Sequence, residues 1–246
     1  MSTILVTGGT GTLGTLVTPL LRDAKLRILS RHAPADSADH VTCDLLSGEG
    51  LEAAVDGVDV VLHLAGGPKG DDVATANLVN AAERAGVGHF VFISVIAADR
   101  VPLGYFTRKF EAEKTVIASG LPWTILRAAQ FHGFCLDAVR AAAKLPVVPL
   151  PGGMRFQPVD ARDVAARLAG LTLGAPAGRV ADLAGPKVYP LRELVEDYLR
   201  ANGKRRPKLP VRLPGKAGRA YRAGDNLNLD AETGTRTWEE FLAPSN

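Results

Sequence analysis

The sequence predicts a doubly wound, parallel α/β sheet with a small C-terminal lobe, on three observations. An apolar run, Ile4-Leu5-Val6, breaks into Thr7-Gly8-Gly9-Thr10-Gly11-Thr12-Leu13-Gly14 and then resumes as an amphipathic helix. Nearly continuous apolar strands alternate with helical patterns over most of the chain, the pattern of a parallel sheet covered on both faces. The glycines at 8, 11 and 14 fall at the first strand-to-helix turn. That combination defines the Rossmann arrangement.

The elements follow in order. After the glycine turn, Leu13, Leu16, Val17, Leu20 and Leu21 mark a helical stripe over 12–24. Leu26–Ser30 reads as a second strand and His40–Asp44 as a short third. A brief helix over 48–56 precedes the apolar strand Val58–Ala65. A long helix over 71–86 ends at Gly86, a C-cap residue. Phe90–Val95 is the fifth strand, 106–119 a helix stopped by Gly120, and Trp123–Leu126 the sixth strand. Beyond residue 131 the order loosens: helices over 133–144, 160–172 and 191–202, a strand near 179–183, and a terminal helix around Trp238–Leu242. We read one domain over 1–246, with a core over 1–130 and a substrate-side region over 131–246.

Composition excludes several classes. The chain has 246 residues, 46% hydrophobic and 22% charged, enough to bury a full core without disulfides or metals. The net charge is +3, its excess concentrated in Lys204, Arg205, Arg206, Lys208 and Arg212. Pro207, Pro210 and Pro214 make that stretch an extended solvated loop rather than a nucleic-acid surface. Cys43 and Cys135 have no metal-ligand spacing and suit a reducing compartment. No apolar run approaches membrane-spanning length, so the expectation is a cytoplasmic protein with no membrane, nucleic-acid or metal partner.

The glycine turn lets backbone approach a pyrophosphate, and the helix starting near Thr12 directs free N–H groups at the anion. The end of the second strand should then meet the adenosine ribose. An NAD site usually places an acid there; this chain has Ser30-Arg31-His32. Arg31 can grip a 2′-phosphate with a charged fork, so NADP(H) is the expected cofactor, with NAD(H) possible. Asp44, in Cys43-Asp44-Leu45, is placed either to accept from the adenine amino group or to cap a turn.

At this point the chain resembles the short-chain dehydrogenase/reductase superfamily, in its atypical NmrA-like branch. The resemblance lies in the glycine turn, His63-Leu64-Ala65-Gly66, Phe92-Ile93-Ser94-Val95 and Leu121-Pro122-Trp123-Thr124-Ile125-Leu126-Arg127. It continues through Pro158-Val159-Asp160-Ala161-Arg162-Asp163-Val164-Ala165 and Leu183-Ala184-Gly185-Pro186. It implies NAD(P) binding by Gly8, Thr10, Gly11, Thr12, Leu13, Gly14, Ser30, Arg31, Asp44, Leu45, Ala65, Gly66 and Ala128. It implies no particular substrate, and some members of the branch are cofactor-sensing regulators.

Tyr105-Phe106-Thr107-Arg108-Lys109 puts a tyrosine and a lysine four apart, on one helix face. In the family the lysine binds the nicotinamide ribose and lowers the tyrosine pKa, and the tyrosine exchanges a proton with the substrate oxygen. The family's serine, which holds that oxygen, corresponds to Ser94, although the Val95–Gly104 connection is short. Gln130, Phe131 and His132 follow the sixth strand, where ligand-facing segments lie; each is equally read as wall, core or cap. Asp160 and Asp163 read as a helix N-cap and a first-turn acid. The functional expectation is an NADP(H)-dependent oxidoreductase acting on a small carbonyl, alcohol or activated alkene, as a monomer or homodimer. The alternatives are a non-catalytic NADP(H) sensor and a non-redox isomerase or cyclase.

Overall fold

A computed structural model describes residues 1–31, 40–67 and 69–243; His32 lies outside them. Five long strands form the sheet's centre: β1 (Thr3–Thr7), β2 (Lys25–Ser30), β4 (Val60–His63), β5 (His89–Val95) and β6 (Trp123–Ala128). β3 (His40–Thr42) flanks β2. On the other side β6 is followed by β10 (Leu183–Ala184) and β13 (Glu232–Thr233), and β9 (Gly178–Arg179) also pairs β6. The order is β13-β10-β6-β5-β4-β1-β2-β3, and every ladder is parallel. The chain reverses between β1 and β4, and the carboxyl ends beside that switch point are where such sheets bind ligands.

Strand alternation sorts the core into two layers. Every residue of β5 is buried, as a strand covered on both faces requires. Val91, Ile93 and Val95 pack with α1 (Thr12–Val17) and α6 (Ala161–Leu173). Phe90 and Phe92 pack on the opposite face with α3 (Asp71–Ala85) and α4 (Gly104–Ala118). By the same alternation Ser94 shares the α3/α4 face.

Two elements differ from the sequence reading for identifiable reasons. The helix expected over 12–24 is α1 followed by a 3-10 turn over Thr18–Leu21, with Pro19 at its start. Proline has no N–H to continue an α-helical ladder. The basic, proline-rich stretch is extended as expected but not wholly a loop: β12 (Lys208–Val211) lies parallel to β7 (Val148–Pro151) in a two-stranded ribbon. Prolines are tolerated there because a two-stranded ribbon leaves one edge of each strand free.

The brief helix is α2 (Leu51–Val55), and α3 ends at Gly86 in the left-handed region, as its C-cap role requires. The C-terminal lobe gathers α5 (His132–Ala142), the short β8 (Arg155–Phe156) and β11 (Tyr189–Pro190), α7 (Leu191–Ala201), α8 (Gly215–Ala223) and α9 (Trp238–Leu242). Its own apolar cluster centres on Tyr189, Val148 and the fully buried Trp238. Thr237 and Glu240 close a capping box on α9. Asp160 caps α6 by accepting from the Arg162 N–H, and Asp163 lies in that helix's first turn.

Candidate active site

The site is built outward from the glycine turn. Gly8 has φ +68°, and a Cβ there would meet the Ala65 nitrogen at 2.7 Å. At Gly14 a Cβ would lie 2.4 Å from the Gly8 oxygen and from Gly9 Cα, so this glycine lets α1 seat against the turn. Gly11 differs: the nearest neighbour of its Cβ position is the Gly8 oxygen at 3.2 Å, and the residue is exposed with Thr10 and Thr12. Gly11 is also the N-cap of α1 and offers no side-chain cap, so among the described residues the first-turn N–H groups are unclaimed. This is an open backbone cradle with donors directed outward, which fits a dinucleotide pyrophosphate. Leu13 is a core residue facing the other way.

The adenosine end is less enclosed. Arg31 is exposed, and among the described residues no hydrogen bond or ion pair holds its guanidinium. Ser30 sits at the end of β2, where its carbonyl accepts from the Cys43 N–H at 3.1 Å. Asp44 is exposed and caps a turn by accepting from the Leu46 N–H at 3.0 Å, and Leu45 is buried in the core.

A hydrogen-bonded chain runs beneath the β4 end. The Ala65 N–H donates to Thr7 Oγ1 at 3.2 Å, and Thr7 Oγ1 lies 2.6 Å from His63 Nδ1. His63 Nε2 lies 3.0 Å from Thr75 Oγ1, which donates to the Asp71 carbonyl at 2.7 Å. Thr75 spends its hydrogen on that carbonyl, so Nε2 carries the ring proton and Nδ1 accepts from Thr7. Desolvation, followed by the nearby Lys109 charge, pushes the His63 pKa down to about 3, which keeps the ring neutral. The chain fixes Ala65 and Gly66 against the glycine turn.

Gly66 joins this loop to α4. A Cβ on Gly66 would lie 3.0 Å from Lys109 Nζ and 3.1 Å from Asp71 Oδ1. Lys109 is 4% exposed; its ammonium donates to the Ile93 carbonyl at 3.2 Å, lies over the Phe92 ring and pairs with Asp71 at 3.1 Å. Tyr105, one turn earlier, is 40% exposed, with no hydrogen-bond partner for its hydroxyl among the described residues. Its pKa is pushed up to about 12, by desolvation and by the Asp71 carboxylate. The lysine is thus engaged with an acid, and the tyrosine is an un-ionised donor at neutral pH, opposite to the lowering expected from a free lysine.

Ser94 is buried with its Oγ unpartnered, and Gln130 has both amide atoms buried and unpartnered. Orphaned polar atoms are rare in folded cores, and here they lie at the carboxyl ends of β5 and β6, where a bound dinucleotide would reach. Ala128, at the end of β6, is buried against β10. Phe131 is half-buried and bridges to Val159. His132 lies elsewhere: it is 1% exposed, with its ring centroid 5.9 Å from that of Trp238 and 5.0 Å from that of Phe241. Desolvation lowers its pKa, so it is a neutral ring inside the C-terminal cluster. Ring packing against Trp238 and Phe241 of α9 holds it there, and nothing local to the sequence at 132 signals a helix one hundred residues away.

Sequence reasoning missed two sets of residues. Asp71 reads in sequence as an ordinary first-turn acid. The buried Arg127–Glu113 pair (2.7 and 2.6 Å), with Asp99 at 2.8 Å, ties β6 to α4 and to the β5–α4 connection. Its signal was present, because Tyr105, Lys109 and Glu113 recur every four residues along one face of α4.

A family model described as NAD(P)H-binding matches residues 8–169. The chain belongs to this NAD(P)H-binding family and is an NAD(P)-dependent oxidoreductase. It is 33% identical to a (4-alkanoyl-5-oxo-2,5-dihydrofuran-3-yl)methyl phosphate reductase of Streptomyces griseus over 82% of this chain and 74% of that one. It is 28% identical to quinone oxidoreductase 2 of Escherichia coli, over 82% and 75%. Its fold matches an Escherichia coli NADPH-dependent quinone oxidoreductase solved with NADPH, at TM-score 0.82 and 22% identity, over 97% and 98% of the two chains. Among the described residues no helix is long and apolar enough to cross a membrane.

Proposed function

We propose that this chain is an NADPH-dependent reductase of small conjugated carbonyl compounds, with Tyr105 as proton donor. The observation that carries the reading is the unbroken contact path Gly8–Ala65–Gly66–Lys109, which joins the pyrophosphate cradle to the helix bearing Tyr105. The names of two relatives point to the substrate class: one reduces a quinone, the other an acylated oxo-dihydrofuran.

Bound NADPH would supply a hydride to an electrophilic carbon of the substrate. The chain's residues would do the rest. Thr10, Gly11 and Thr12 would hold the pyrophosphate, and Arg31 the 2′-phosphate. Gly66 and Ala128 would flank the nicotinamide end, with Lys109 beneath. Ser94 and Gln130 would offer hydrogen bonds near the substrate oxygen, and Tyr105 would give its O–H proton to that oxygen as charge develops there. Residues 1–130 would form the cofactor half and 131–246 the substrate side.

Two measurements test this reading. Arg31→Ala should weaken NADPH binding about 10- to 100-fold, the worth of a charge-assisted contact, and leave NADH binding unchanged. Equal losses for both nucleotides would remove Arg31 from the 2′-phosphate site. Tyr105→Phe should cut kcat for quinone- or enone-dependent NADPH oxidation about 100-fold or more, with NADPH affinity retained. Unchanged kcat in this variant would reassign the proton donor.

A further inference from the structure

We propose that Asp71 is a positioning residue that acts on Tyr105 through Lys109: paired with Lys109 beneath Gly66, it offsets the lysine's positive charge and so sets how acidic the Tyr105 O–H is. This rests on the assignment of Tyr105 as the proton donor. Asp71 opens α3, a place where an acid is ordinarily solvated and complements the helix dipole. Here it is 3% exposed and caps nothing, since Gly70 precedes it as an N-cap without a side chain. Its carboxylate accepts no hydrogen bond among the described residues and faces Lys109 at 3.1 Å. Burying both ions costs desolvation that their attraction barely offsets, so the pair is poorly explained by stability alone.

The pair is also placed to act on the tyrosine. Lys109 is one helical turn from Tyr105 on α4, and Asp71, at the start of α3, contacts Lys109 at 3.1 Å and bears on Tyr105 through its charge. Among the other charged groups nearby, His63 on β4 is neutral, Arg127, Glu113 and Asp99 satisfy one another, and Arg108 on α4 folds its guanidinium back against Gly104. A lysine without Asp71 would lower the Tyr105 pKa toward or below that of a free tyrosine, making the phenol a stronger acid while leaving it protonated at neutral pH. With Asp71 present the hydroxyl holds its proton more tightly; in reduction that proton goes to the substrate oxygen and is replaced from solvent.

The test reads Tyr105 directly. The protein is titrated with base, without nucleotide, and followed by the ultraviolet difference spectrum of tyrosinate. Subtracting the Tyr105→Phe variant isolates this residue from Tyr189, Tyr198 and Tyr221. Asp71→Asn should lower the Tyr105 midpoint by about one to three pH units, while Lys109→Met should raise it. Asp71→Glu, which keeps the charge, should stay near wild type. Asp71→Ser reads the same quantity should Asp71→Asn fail to fold. A merely structural role would move Asp71→Asn and Lys109→Met the same way, toward the value of free tyrosine, and that result overturns the proposal, as does an unmoved midpoint in Asp71→Asn. Absence of turnover with a high midpoint and opposite shifts would instead count against Tyr105 as the proton donor, leaving the charge pairing standing.

Discussion

Gly14→Ala is expected to abolish NADPH binding and to lower stability by about 1–3 kcal/mol, the cost of overpacking. A methyl at this position would sit 2.4 Å from the Gly8 oxygen and from Gly9 Cα. Both are backbone atoms of the turn itself, so neither can rotate away as a side chain would. The start of α1 must lift, and the first-turn N–H groups then point away from where a pyrophosphate would lie. Gly11→Ala is the informative partner. Its φ of −81° suits alanine, and its Cβ would meet only the Gly8 oxygen at 3.2 Å. That variant should melt close to wild type yet bind NADPH at least about tenfold more weakly, because the methyl projects toward the ligand side of the cradle. Calorimetric titration with NADPH, beside thermal melts, separates the two. Wild-type affinity in Gly14→Ala would show that the turn does not hold the cofactor.

The second large effect concerns α4. Glu113→Gln should destabilise the protein by about 3–5 kcal/mol, because it leaves the Arg127 guanidinium buried with half its partner lost. Glu113 and Arg127 are each 2% exposed and share two short bonds. At about 2–4 °C per kcal/mol for a chain of this size, the melting temperature should fall by roughly 6–20 °C. Asp99 is the one remaining anion on Arg127 among the described residues; despite its desolvation, Arg127 holds its carboxyl below the ordinary carboxylate range. The double variant Glu113→Leu/Arg127→Leu should recover most of the loss, since no fully buried charge is left unpaired and the Asp99 carboxylate is partly exposed to water. A single variant as stable as wild type in thermal melts would show the pair to be dispensable. Because Tyr105 and Lys109 ride on the same helix, Glu113→Gln should also lose activity at temperatures where it is still folded.

The sheet was legible in the sequence because its signals are local. Phe90–Val95 and Trp123–Leu126 are apolar without interruption, and Gly86 stops α3 as a left-handed cap. The glycine turn was legible for the same reason, since each of its glycines answers to an atom a few residues away or on the adjoining strand end. The site was legible only in part. Spacing placed Tyr105 and Lys109 on one face, but the acid paired with Lys109, Asp71, comes from another helix. His132 shows the converse: it follows a ligand-facing strand, yet α9 claims its ring. The ribbon of β7 and β12 was missed because its pairing joins residues sixty apart, and its prolines carry no strand signal.

The most direct test of the central claim follows the hydride itself. NADPH carrying deuterium at the transferred position of C4 would be incubated with the protein and an α,β-unsaturated lactone, and the product examined by mass spectrometry. Such a substrate keeps the label on carbon, whereas a quinone would place it on an exchangeable oxygen. The account predicts one deuterium per product molecule, with formation slowed about 100-fold or more in Tyr105→Phe. NADPH that binds tightly but leaves the lactone unlabelled and unreduced, across enones and aldehydes as well, would contradict it.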